Sequence, residues 1–459
     1  LALIETLFKI DDPKSYFQIR HLFNFLIFFI SSIYFYKILL QRSFYWYNSL
    51  IGALFYILSP RIFANSFYNN KDLIFLSLFV ISIYYAFKLL KNINIYNSFC
   101  FAFFVALSTS SRIIGLVTII IYSFIFILSF ISLPNFYIKK IKYLIFIIIS
   151  YFMVIFILWP YLWLNPIESF IEALKIFSDY PRYMYLLYEG TYFKTSSLPW
   201  HYPIKWIFIT TPLIYLIFLG IGLFFILKSI IIKFLNMEEN SEGYDFWSNI
   251  YEKLDFFIFI FLVAFLFYVI YSETVLYNGW RQLYFLHPLI IYISTLGFSK
   301  LQSVFFINKG KFLFYFSIVL YLTFITSKMF IMHPYQNVYF NALSGKKVHK
   351  NFDVDYWGLA NKRFLESIAV LELNKNRVNI GVASFTTLDR SINLLDGKFR
   401  KKFNIVGQEY EEAEYIFTNF MSDVNRKVDD KYDIPSNFKL YEEFEVNGIK
   451  LYEVYKKND

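Results

Sequence analysis

One carboxylate stands alone in the early part of this sequence. Asp72 is the sole acid between Asp12 and Glu168, and it lies in SPRIFANSFYNNKDLIF, residues 59–75. Arg61, Asn65, Asn69, Asn70 and Lys71 surround it. A carboxylate can take a proton from a hydroxyl, and a guanidinium fork matches the oxygens of a phosphate. Three more polar clusters interrupt the apolar runs. They are Arg112 in STSSR, then Trp200, His201 and Lys205 in LPWHYPIKW, then Arg281, Gln282 and His287 in NGWRQLYFLHP. Ionisable groups so close to hydrocarbon are expensive, so each needs a function or a structural duty. Structural duties exist for all of them. Arg61 and Lys71 can snorkel to lipid phosphates, and Asp72 can cap a helix whose first N–H groups lack partners. His201 can be interfacial, and His287, next to Pro288, can be structural. Asp353 and Asp355 in FDVDYWG have the form of a DxD metal pair, yet no ligand set with diagnostic spacing occurs.

The elements that must hold these groups are membrane helices. The 459 residues are 58% hydrophobic and 23% aromatic, with a mean hydropathy of +0.47, which excludes an ordinary soluble domain. Apolar runs suited to spanning lie at 22–40, 47–64, 73–90, 97–111, 113–133, 143–159, 207–227, 256–272, 284–299 and 312–331. About ten transmembrane helices are expected, with the fourth and ninth short and a re-entrant pair as the alternative around STSSR. With 59 Phe and 40 Tyr, most rings here are lipid-facing filler or interface belt. Cys100 is the only cysteine, so no disulfide forms within the chain.

The net charge of +10 does not indicate a nucleic-acid partner, because the excess sits in short loops. Lys37 and Arg42, Lys88 and Lys91, Lys139, Lys140 and Lys142, Lys228, Lys233 and Lys253, and Lys300, Lys309 and Lys311 all follow alternate helices. The positive-inside rule makes that face cytoplasmic. The Asp72 loop, the long 160–206 loop and the tail are then extracytoplasmic, in what reads as a bacterial inner membrane. Within the long loop, YLWLNPIESFIEALKIFSDYPRY has the period of a helix lying on the membrane surface. It fits a cover over a lipid-linked substrate. The segment 235–255 reads as a polar cytoplasmic linker.

Residues 1–333 therefore form the expected membrane domain. Residues 334–459 are a different material, holding 19 of the 34 acids and no spanning run. NRVNIGVAS and EYIFTNF read as strands and NKRFLESIAVLEL as an amphipathic helix. FKLYEEFEVNGIKLYEVYKK reads as a hairpin, since Asn447-Gly448 tolerates the positive φ angles of a type I′ turn. The expected fold class is a polytopic all-α membrane protein with a small α/β C-terminal domain.

SPRIFANSFYNNKDLIF resembles the second outer-loop motif of bacterial family-39-type glycosyltransferases. These belong to the GT-C superfamily, with protein O-mannosyltransferases and lipid A aminoarabinose transferase as relatives. ALSTSSRIIGL, LPWHYPIKW, NGWRQLYFLHP, and HPYQNVYFNALSG followed by FDVDYWG are similar to motifs of one bacterial branch, in the same order. The resemblance implies transfer of a sugar from a polyprenyl-phosphate carrier to a lipid, glycan or protein acceptor at the outer face. It implies that Asp72 is the second-loop acid of the active site, with Arg61 and Lys71 near the carrier phosphate. Asn70, Arg112, His201, Arg281 and Gln282 are the further substrate-binding candidates. The family's catalytic base stands on a first outer loop. The chain opens without Met at LALIETLFKIDDPKSYFQIRHLFN, which is similar to the part after that acid, so the base is expected upstream of Leu1. Asp11 and Asp12 match the following turn instead. Divalent-metal dependence varies among the relatives. Two other readings stay open, a lipid or sugar transporter (a flippase) and a polymerase or ligase of lipid-linked glycans.

Overall fold

The computed structural model describes residues 2–10, 12–178, 184–235, 246–304 and 308–458. The expectation that Asp11 is no substitute base, and residues 236–245 of the 235–255 linker, fall outside them. Among the described residues, seven helices are long and apolar enough to cross a membrane, or eight if one bent pair counts as a span. The chain is an integral membrane protein by that measure. Four of these helices matter below: α1 (Pro13–Gln41), α4 (Asp72–Lys91), α10 (Leu213–Leu235) and α11 (Ile250–Tyr271).

The three shortfalls from ten have separate causes. Run 47–64 is broken into α2 (Trp46–Ile57) and α3 (Pro60–Tyr68), which meet at 63°. Pro60 starts α3 and has no N–H to give the carbonyl of Tyr56. His287 Nε2 donates to that carbonyl instead, at 3.2 Å, and Tyr215 Oη donates to Leu58 O at 3.2 Å. A break at membrane depth persists only when such partners exist. Run 97–111 becomes α5 (Ile95–Ser111), whose 17 residues reach roughly 25 Å, short of the usual hydrocarbon thickness. Run 284–299 becomes α12 (His287–Val304), a central helix buried at every position from His287 to Phe298. Its Ser, Thr and Gly residues meet protein rather than lipid, so its hydropathy is lower.

Small residues allow this central packing. A Cβ on Gly297 would lie 2.0 Å from the Phe218 carbonyl oxygen, and one on Gly222 would lie 2.1 Å from that of Ile293. The backbones of α12 and α10 touch there, as glycine permits between membrane helices.

The long loop holds α8 (Pro166–Ser178) and a hairpin of β1 (Tyr185–Tyr188) and β2 (Thr191–Lys194). On α8, Ile167 is 75% exposed, which fits the expected surface helix. The tail carries a five-stranded sheet in the order β4-β3-β5-β7-β6. The strands are β3 (Val378–Val382), β4 (Phe403–Gly407), β5 (Tyr415–Thr418), β6 (Phe438–Val446) and β7 (Ile449–Lys457). β3 runs parallel to both neighbours, and β6–β7 is an antiparallel hairpin. Its turn has φ of 54° at Asn447 and 74° at Gly448. Helix α14 (Asn361–Leu371) covers the sheet through Phe364, which packs on Phe417 and Tyr452.

Candidate functional site

The site is built around the start of α4. Asp72 is the first residue of that helix and is only 2% exposed. The turn before it is closed from both sides. Asp72 N–H donates to Asn69 Oδ1 at 3.1 Å, and Asn69 Nδ2 donates to Asp72 Oδ2 at 2.9 Å. Asn69 Nδ2 also reaches Asn65 Oδ1 at 3.2 Å, and Asn65 Nδ2 reaches Asn337 Oδ1 at 2.8 Å. A ladder of amides thus ties the Asp72 turn to the first residues of the tail. The helix N-terminus adds its positive end to the carboxylate.

Two guanidinium groups complete the carboxylate's partners. Arg112, the residue after α5, donates Nη2 to Asp72 Oδ1. Arg281 lies with Nη1 3.6 Å from Asp72 Oδ2. Arg281 is further held among three rings, Tyr277, Tyr356 and Trp357, whose centroids lie 4.7, 4.9 and 5.3 Å from its Cζ. Tyr356 and Trp357 come from FDVDYWG in the tail. Among the described residues, Nε of both Arg112 and Arg281 is buried without a hydrogen-bond partner.

These cations face a cleft of about 460 Å³. Lys71, Arg112, Arg281 and Gln282 line it, with Ser110 and Ser111. Ile113, Ile114, Trp159, Phe265 and Val269 belong to the same lining, with Ala173 and Ile176 of α8. Among the described residues no carboxylate belongs to the lining, and Asp72 is buried against its two arginines. The cleft therefore combines cations with apolar side chains. Burial, then the Arg112 and Arg281 charges, hold the Lys71 ammonium below its usual range.

The remaining residues singled out in the sequence lie elsewhere. Arg61 is 4% exposed and does not reach the cleft; its Nε donates to Tyr339 O at 3.1 Å, and its plane lies over Phe340 and Trp206. Buried on α3 by the break, it ties that helix to the segment after α13 (Asn308–Ile331). His201 sits 3.8 Å from Glu189, which also takes Lys205 at 3.1 Å, so both face the β1–β2 turn. Asn70 is exposed on the turn outside the cleft lining. His287 repairs the α2–α3 break. Asp12 caps α1 and pairs with Arg400 at 2.9 Å.

The DxD pair is divided. Asp355 accepts from Leu359 N and Ala360 N, both at 3.0 Å, which shapes the turn carrying Tyr356 and Trp357. Asp353 points away to β1, where Oδ2 accepts from Leu187 N at 3.3 Å and Oδ1 has no partner. Burial pushes the Asp353 carboxyl up to about 7. Among the described residues no group of three His, Cys, Asp or Glu could hold a metal ion.

Sequence reading missed the ring cage of Arg281. Tyr356 lies 75 residues away, and aromatic residues are too common here for two of them to stand out. Comparison with protein-family models finds no match, and comparison with curated proteins finds none either.

Proposed function

We propose that this chain is a GT-C-type membrane glycosyltransferase that takes its sugar from a polyprenyl-phosphate donor, inverting the anomeric centre. The observation that carries the reading is the mixed lining of the cleft. Three cations, with no acid among the described lining residues, suit a phosphate, and the apolar side chains suit the adjoining isoprenoid. A free nucleotide sugar would need no such apolar surface. The positive-inside distribution favours the extracytoplasmic face of the membrane for this cleft, with α8 beside it.

On this reading the leaving phosphate rests against Arg112, Arg281 and Lys71, which take up the negative charge that grows as the glycosidic bond breaks. Asp72 touches neither substrate. It positions the two guanidinium groups and offsets part of their charge before the donor arrives. The acceptor hydroxyl attacks from the far side of the sugar and gives its proton to a base outside the described cleft lining.

Retention of a radiolabelled polyprenyl-phosphate sugar by purified protein tests the site. The double variant Arg112→Gln/Arg281→Gln is expected to lose at least about tenfold in affinity, since each removes a charge-assisted contact. Wild-type retention by that variant would contradict the assignment.

A further inference from the structure

At the opposite end of α4, one helix length of roughly 30 Å away, lies a second basic hollow. Its open volume is about 520 Å³, between the ends of α1 and α4 and the start of α5. Lys37, Lys88 and Lys91 line it, and among the described residues no carboxylate does. Lys88 lies over the Tyr84 ring at 5.1 Å and Lys37 over the Tyr34 ring at 5.1 Å, so their stems are held while their ammonium groups stay unpaired by acids. Lys91 Nζ donates to the Gln41 carbonyl, which places the third ammonium at the rim.

The amide of Gln41 supplies an independent observation. It lines the same hollow, and both its Nε2 and its Oε1 are buried without a partner among the described residues. A buried amide left unsatisfied on both atoms is costly unless a ligand completes it. Asn92 and Asn97 add two more amides. Below the hollow, Leu26, Ile30, Ile33 and Leu40 stand at helical spacing on the face of α1 that carries Lys37. They are 47%, 48%, 42% and 38% exposed.

We infer that this hollow is a specific site for the headgroup of an anionic glycerophospholipid. The lysines take the phosphodiester, the Gln41 amide takes a headgroup hydroxyl or glycerol oxygen, and an acyl chain follows the α1 stripe. Basic pockets between membrane helices bind anionic headgroups through this combination. The stripe decides between a lipid and a free phosphate, since a soluble anion has no use for it. The site is independent of the Asp72 cleft.

The test uses purified protein in phosphatidylcholine nanodiscs containing a minor fraction of phosphatidylglycerol, with retained lipid counted by native mass spectrometry. Lys37→Gln/Lys88→Gln/Lys91→Gln is expected to lower phosphatidylglycerol affinity about tenfold or more. Lys139→Gln/Lys140→Gln/Lys142→Gln removes equal charge at the same end and is expected to change it less than about twofold. Gln41→Met keeps every charge and is expected to cost roughly threefold. An equal loss in both lysine triples would overturn the inference, because the effect would then be general surface charge. So would unchanged retention in the first triple, or in Gln41→Met if the first triple fails to fold. Inorganic phosphate alone is expected to give no protection against thermal unfolding. Protection by phosphate that matches the lipid's would overturn the choice of a lipid.

Discussion

Asp72 and its two arginines form a unit in which each member depends on the others. Removing the carboxylate leaves two cations uncompensated in a site where Arg281 keeps only 11% of its side chain exposed. Asp72→Asn is therefore expected to cost on the order of 3–5 kcal/mol of stability, read from the midpoint of detergent-solubilised unfolding. Its donor affinity should fall as well, because the guanidinium groups lose their alignment. A destabilisation below about 1 kcal/mol would mean that the ion pairs do little. Arg281→Lys keeps the charge but gives up the planar stacking on Tyr277, Tyr356 and Trp357. A drop of roughly 5- to 30-fold in donor affinity is expected, with unchanged affinity counting against the cage. The sequence marked Asp72, Lys71, Arg112 and Arg281 by charge, and Gln282 as a polar neighbour of Arg281. It could not tell Arg61 and His201 apart from them, since burial against Phe340 or pairing with Glu189 depends on contacts far along the chain.

Helix positions followed from apolar runs, and the β6–β7 hairpin followed from Asn447-Gly448, because both are local signals. The break between α2 and α3 was not legible, since Ser59-Pro60 sits inside one apolar run and its repair comes from His287 and Tyr215. His287→Phe should leave the Tyr56 carbonyl unsatisfied at about 1–3 kcal/mol, measured by thermal unfolding. Gly297→Ala places a methyl 2.0 Å from the Phe218 carbonyl, so α10 and α12 must separate. A loss of about 1–3 kcal/mol is expected, and a neutral result would deny the close approach. The basic ends of helices were read as topology signals, yet Arg42 is also a structural tether. It holds Asp255 through two bonds of 2.6 and 2.7 Å.

Across the whole molecule, the tail is joined to the site by the FDVDYWG turn, and a pH dependence is expected there. Asp353 is raised by burial to about 7, so its folded form holds a proton that the unfolded chain releases near the usual carboxylate range. Its neighbours in charge are Arg426 and the phenols of Tyr192 and Tyr202, of which Arg426 opposes the rise. Stability from the protonated form is full below about pH 4 and is lost as pH rises toward about 7. Thermal unfolding should therefore show wild type losing ground to Asp353→Asn between about pH 4 and about pH 7. A constant difference across that interval would contradict the burial account. The two-part composition was legible from charge, whereas the clamp of the tail on Arg281 was not. The most direct measurement of the central claim is sugar transfer by the protein expressed from its whole reading frame, in vesicles carrying a radiolabelled polyprenyl-phosphate sugar. Label leaving the carrier for an acceptor or water, and staying put with Arg281→Gln, is the predicted result. Label that crosses between leaflets with its carrier bond intact, or is never consumed, would contradict the account.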